Sequence, residues 1–128
     1  IFSDEKKRKA LNLIVHPAVK EYVKDIAARE KTVGKLRILV LEAALLIEEG
    51  YDQICDELWY IYTSQENRKL RLMENRGYSE EKVKSIFDSQ LKEEVYRRFC
   101  KVVIDNNGTK EETIRQVAEV INRKEYWA

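Results

Sequence analysis

Val103-Ile104-Asp105-Asn106-Asn107-Gly108 places two β-branched residues ahead of an aspartate, two asparagines and a glycine, the composition of a strand running into a tight turn. Val102 extends that strand, which is predicted over 102–105. Beyond the turn, Thr109 and Glu112 have the spacing of a capping box, and Ile114, Val117, Ala118 and Ile121 recur along one helical face. Strand, turn and capped helix in this order are the repeating unit of α/β domains with parallel strands. In an open parallel sheet, ligands bind beyond the carboxyl ends of the strands, so the same stretch bears on function.

Upstream, Ser79 with Glu80 and Glu81 opens a helix whose apolar stripe is Val83, Ile86, Phe87 and Leu91, since acids favour a helix's positive end. Gly77 closes an earlier helix over 65–76. There Leu70 and Met73 are expected to face the core, Arg68 and Arg71 to share one stripe, and Lys69 and Arg76 another. Two charged helices thus hang between strands. Leu58-Trp59-Tyr60-Ile61-Tyr62 reads as an aromatic-rich strand, and the apolar run 36–41, with Ile38 and Val40, as a strand covered on both faces. A short helix over 43–49, ended by Gly50, joins them. At the front, Ser3 is the N-cap ahead of Asp4 and Glu5 for a helix to about residue 15. Pro17 suits the first position of a second helix to about residue 30, with Val19, Tyr22, Val23, Ile26 and Ala27 as its stripe. Without repeats, low-complexity runs or Pro/Gly-rich linkers, the chain reads as a single domain: helices over about 1–33, core strands over 36–63, helices over 65–99, and the last strand and helix over 100–122.

The 128 residues suffice for one buried core. Lys and Arg total 24 against 23 Asp and Glu, intermixed, and the net charge of +1 gives no electrostatic case for nonspecific nucleic-acid binding. The run Lys6-Lys7-Arg8-Lys9 follows two acids without interleaved aromatics and reads as a solvated helix face. Cys55 and Cys100 are too few for a disulfide framework or a zinc site, and no metal ligand cluster is expected. No apolar run approaches a membrane span and the first residues lack a signal pattern, so a soluble, cytoplasmic protein is expected. The chain opens on Ile1-Phe2 without a methionine, and part of a larger gene product is expected to precede it.

Four groups of residues have chemistry to offer. Asn106, Asn107 and Gly108 could bind a ligand at the sheet's end, or only supply the left-handed backbone of a turn. The arginines of 65–76 suit the charge of phosphoryl transfer, yet a surface helix rich in arginine is commonly just solvated. His16, the single histidine, could exchange protons, cap or pack. Glu42 and Glu48 bracket a segment after the first predicted strand, where carboxylates could hold magnesium or a substrate hydroxyl, or simply mark a helix edge.

Taken in order, His16-Pro17-Ala18-Val19, Glu42-Ala43-Ala44-Leu45-Leu46-Ile47-Glu48, Arg71-Leu72-Met73, Gln90 and the stretch from Val103 to Gly108 resemble the pattern of the dephospho-CoA kinase family across nearly the whole chain. The resemblance implies the C-terminal part of a P-loop nucleotide-kinase-like α/β fold: parallel strands flanked by helices, a helical lid and acceptor-side helices. It implies phosphorylation of the ribose 3′-hydroxyl of dephospho-CoA by ATP with Mg2+, the last step of coenzyme A synthesis. His16 and Glu48 would then be substrate-binding residues on the acceptor side. Arg71 would be the catalytic lid residue that stabilises phosphate charge, and Asn106, Asn107 and Gly108 would bind the nucleotide at its adenine edge. Another small-metabolite or nucleotide kinase of this fold, or a non-catalytic binding or assembly module, is the alternative.

The chain departs from the family pattern at Ala44, where Pro is common, and at Lys101, where Asp is common. Asn75 stands where a second lid arginine is usual, with Arg76 one place later. A phosphate loop of the form G-x-x-x-x-G-K-[ST] occurs nowhere in the 128 residues, nor does the acidic residue that follows it in the family. Phosphoryl transfer depends on such positioning, so the chain alone is expected to be inactive. In such a fold the phosphate-loop strand lies between 36–41 and 58–62. The isolated chain is therefore expected to be marginally stable, to self-associate or re-pair its strands, and not to bind ATP measurably.

Overall fold

In the computed structural model, which describes residues 4–123, Asp4 opens the first helix by accepting from the backbone N–H groups of Lys6 and Lys7 at 3.0 and 3.2 Å. Ser3, the cap expected from the sequence, lies outside the described residues. Helix α1 spans Glu5–Val33 with Pro17 inside it, so the two helices expected on either side of Pro17 are one. Proline removes the single N–H that would have bonded the Leu13 carbonyl, and the turns on both sides carry the helix past that gap. Gly34, at φ 71°, ends it by donating to the Glu30 carbonyl at 2.9 Å, a left-handed cap that suits glycine.

The chain divides into two compact units, Ile1–Ile54 and Cys55–Ala128. In the first, the half-buried side chains of α1 form a stripe through Asn12, His16, Lys20, Val23, Ile26 and Glu30. The expected apolar stripe holds only in part, because Val19 and Tyr22 are 48% and 66% exposed. Polar contacts share this half-buried face with Val23 and Ile26: His16 pairs with Glu49, and the Lys20 ammonium lies 5.5 Å from the ring centre of Tyr51.

Two expected elements of this unit are absent. Residues 36–41 do not form a strand, and Leu36, Ile38, Leu39 and Val40 are exposed rather than covered, Val40 at 81%. An extended run becomes a strand only through a ladder partner, and the one sheet among the described residues does not include it. The segment expected as a helix over 43–49 is a series of turns. Its bonds run from Glu49 N–H to Leu45 O, from Gly50 N–H to Ile47 O and from Tyr51 N–H to Leu46 O. These span four, three and five residues, so no helical repeat establishes itself. A 3-10 turn over Tyr51–Gln53 follows, with the Tyr51 side chain buried.

The second unit follows the sequence reading closely. Strand β1 (Trp59–Tyr62) leads into α2 (Gln65–Arg76), capped by Ser64, whose Oγ accepts from Asn67 N–H at 3.2 Å, and closed by Gly77 at φ 65°. Ser79 caps α3 (Glu80–Ser89). A third helix, α4 (Glu93–Phe99), then stands where only two were expected between the strands. Gln90 is extended and stops α3, which removes Leu91 from its stripe. At seven residues, α4 is too short for its apolar spacing to register in the sequence. Strand β2 (Val102–Asp105) pairs parallel to β1, with Trp59 opposite Val102 and Tyr62 opposite Asp105, and Thr109 caps α5 (Lys110–Ile121).

Helix α5 covers one face of the strand pair. Val102, Ile104 and Val120 form the core, with Trp59 and Val117 against them. Tyr60 and Tyr62 project from the other face, where Tyr60 stacks on Tyr96 of α4 with ring centres 5.0 Å apart. Of the two residues expected to face the core, Met73 is half-buried but Leu70 is 49% exposed; the half-buried face of α2 runs through Asn67, Arg68, Arg71, Leu72 and Met73. Parallel strands alternating with helices place the chain in the α/β class, as its pattern predicts. No helix among the described residues is long and apolar enough to cross a membrane.

Candidate active site

The carboxyl ends of β1 and β2 are tied together by side chains from the turns that follow them. The Asn107 carboxamide oxygen accepts from Ser64 N–H at 2.8 Å and from the Asn67 side-chain amide at 2.9 Å. Its own amide donates to Asp105 Oδ1 at 2.9 Å, as does its backbone N–H at the same distance. These two N–H groups hold the Asp105 carboxyl below the usual carboxylate range. Asn106 donates its backbone N–H to Tyr62 O at 2.7 Å, continuing the strand ladder, and its side-chain oxygen accepts from Thr113 Oγ1 at 2.8 Å. Gln116 brackets Asp105 from α5, with bonds of 2.7 and 2.8 Å to the backbone carbonyl and N–H.

The turn 106–108 is therefore shaped by side-chain bonds. No residue in it other than glycine has positive φ, and Gly108 is not among the glycines that do, so the left-handed backbone considered for it is not how the chain reverses. A side chain at 108 would meet only the carboxylate end of the exposed Glu112 side chain, which can swing aside.

Thr63, buried just beyond β1, links the turn to helix α2. Its hydroxyl donates to the Asn106 carbonyl and accepts from Arg71 Nη1, both at 3.5 Å, the long limit for such bonds. The structure thus brings Arg71 together with Asn106 and Asn107 at one end of the strand pair, beside the positive amino end of α2. One turn before Arg71, Arg68 donates from Nη1 to Gln90 Oε1 at 2.7 Å, and its guanidinium carbon lies 4.7 Å from the ring centre of Phe87. Arg68, Tyr62, Thr63, Phe87 and Gln90 line a cavity of about 270 Å3. Arg76 is exposed in the last turn of α2. Within the cavity wall, burial and the Glu93 carboxylate raise the Tyr60 phenol above its usual value, while Glu93 itself bonds Arg97 at 2.8 and 2.9 Å.

In the first unit, His16 Nδ1 lies 2.6 Å from Glu49 Oε1, both half-buried. Glu48 is exposed, so the carboxylate next to the histidine is its neighbour in sequence. Spacing along an expected helix over 43–49 could not separate the two, because that segment is turns. Thr63, Asn67 and Gln116 also escape a reading of the sequence: each acts through a partner distant in the chain, and none belongs to a motif. Among the described residues no group of three or more His, Cys, Asp or Glu side chains converges to hold a metal ion.

Chemically, this end of the second unit offers two guanidiniums, a helix amino terminus and a turn rich in amides, a set suited to a phosphorylated ligand. A family model described as dephospho-CoA kinase matches residues 1–112. The dephospho-CoA kinase of Shouchella clausii is 38% identical over 121 residues, 94% of this chain and 61% of the relative. That of Geobacillus kaustophilus is 36% identical over 124 residues, 96% and 61% of the two chains. The crystal structure of TT1252 from Thermus thermophilus superposes with a TM-score of 0.75 at 29% identity, over 94% of this chain and 61% of that one. The chain spans about three fifths of the length of these relatives.

Proposed function

The chain belongs to the dephospho-CoA kinase family, and we propose that the complete gene product transfers the γ-phosphoryl group of ATP to the ribose 3′-hydroxyl of dephospho-CoA, giving ADP and coenzyme A. The observation that carries this reading is the meeting of Arg71, Thr63 and Asn106 at the carboxyl ends of two parallel strands, the end where open sheets of this class bind ligands.

In this reading Arg71 stabilises the charge that spreads over the phosphoryl oxygens during transfer. It has no carboxylate partner among the described residues to neutralise it. Asn106, Asn107 and Gly108 form the adenine edge. The Asn107 side chain is committed to Asp105, Ser64 and Asn67, so its part is to hold the turn, leaving the turn's backbone to meet the base. His16 and Glu48 serve the acceptor side, with the Glu49 carboxylate orienting the imidazole through Nδ1. Magnesium would neutralise the nucleotide's phosphates; the described residues build no site for it, and none is assigned to it. The reaction takes place in the cytoplasm, on small-molecule substrates.

The test is a coupled ADP-release assay on the complete gene product with dephospho-CoA, adenosine and nucleoside monophosphates as acceptors. Turnover with dephospho-CoA is expected. Turnover with a nucleoside acceptor and none with dephospho-CoA would transfer the protein to another kinase activity. The 128-residue chain, which has no G-x-x-x-x-G-K-[ST] loop, is expected to show no turnover with any of them.

A further inference from the structure

Helix α2 carries three arginines, Arg68, Arg71 and Arg76, and the kinase reading assigns a role to Arg71 alone. We propose that Arg68, held by Gln90 and Phe87, is the second phosphate-binding guanidinium of α2, and that Arg76 is not. This rests on the kinase reading for the identity of the ligand, a polyphosphate.

Arg68 and Arg71 are three apart and lie on the same half-buried face of α2. Arg71 reaches Thr63, and Thr63 lines the same cavity as Arg68. Both cations therefore stand at the carboxyl end of β1. Arg76 lies eight residues beyond Arg68, roughly 12 Å farther along the helix axis. It sits at the negative end of the helix, where a cation is favourable without any ligand.

The hydrogen-bond inventory of Arg68 is incomplete. A guanidinium has five N–H donors; Gln90 accepts one, and Nε is buried with no acceptor. No carboxylate pairs with Arg68 among the described residues, and Glu93 on the cavity wall is engaged by Arg97. A buried donor on a charged group is normally satisfied. The unused N–H groups and the uncompensated charge together call for an anion with several acceptor oxygens.

The surroundings also fix the guanidinium before any ligand arrives. The Phe87 ring lies over its guanidinium carbon and Gln90 holds one end, so less rotamer freedom is lost when an anion binds. Gln90 and Phe87 come from α3 and its cap, so these contacts join the two helices of the lid region around the cation.

The experiment uses inorganic tripolyphosphate as the probe, titrated calorimetrically into the complete gene product. The wild type is expected to bind it, and Arg68→Gln to weaken binding by about tenfold to a hundredfold, the range of lost charge-assisted hydrogen bonds. Arg76→Gln is expected to change it less than twofold. Gln90→Ala, which leaves the charge but frees it to move, should weaken binding a few-fold. A purely structural role is separated by adenosine, whose affinity should be unchanged in Arg68→Gln while that of ATP falls with tripolyphosphate. The proposal is overturned if the wild type does not bind tripolyphosphate, if Arg76→Gln matches or exceeds Arg68→Gln, or if adenosine binding is lost in parallel. Loss of dephospho-CoA turnover with these anion results intact would count against the acceptor assignment alone.

Discussion

Asn107→Ala removes the side chain that joins the two strand ends. Its oxygen accepts from Ser64 N–H and from the Asn67 amide at 2.8 and 2.9 Å, both partly buried. Each such neutral bond has a net worth of about 1 kcal/mol, and a donor left unsatisfied costs more. The expected destabilisation is therefore roughly 2 kcal/mol, without counting the solvent-screened bond to Asp105. Urea unfolding of the complete gene product should show a lower midpoint at unchanged slope. A double-mutant cycle with Asn67→Ala should return a coupling of about 0.5–1 kcal/mol. Asn107→Asp is the sharper variant. It keeps both acceptor functions but sets a carboxylate oxygen where an amide now meets Asp105 Oδ1 at 2.9 Å. It should be weaker than wild type at neutral pH and recover part of the loss as the carboxylates protonate. An alanine variant within about 0.5 kcal/mol of wild type, the scatter of ordinary surface changes, would refute the assignment of Asn107 as the clamp.

Ile104, 1% exposed, should cost about 2–5 kcal/mol on truncation to alanine, and Val103, at 38% exposure, well under half of that by the same unfolding assay. The Asp105 carboxyl is held below its usual range by the Asn107 N–H groups. Its contribution is thus present above the unfolded value of about 4 and disappears as pH falls through the folded value; the stability gap between wild type and Asp105→Asn should close on acidification, and a gap that widened would overturn the sign. On the proposed role, in which Arg71 meets charge that grows during transfer, Arg71→Ala should lower kcat on the order of a hundredfold with a small change in the acceptor's KM; an unchanged kcat in the coupled assay would leave Arg71 only a structural partner of Thr63.

Elements with local causes were legible in the sequence. Ser79 and Thr109 each cap a helix with a side-chain oxygen three residues from its target, and Gly77 ends α2 through its own backbone freedom. Those signals need no distant partner, which is why α2, α3 and α5 lie where the pattern predicts. The motif turn 106–108 and Arg71 were also visible as candidates from residue type and order. Tertiary structure decided the rest. Residues 36–41 have the composition of a strand but lack a ladder partner among the described residues, and hydrogen bonds between strands are not a property of one segment. The half-buried face of α1 takes in His16 and Lys20 because Glu49 and Tyr51 lie against them, a choice that apolar spacing cannot register. Arg68 and Arg76 are the same residue type on the same helix, and only the packing of Phe87 and Gln90 against one of them separates a held, partly buried cation from a solvated one.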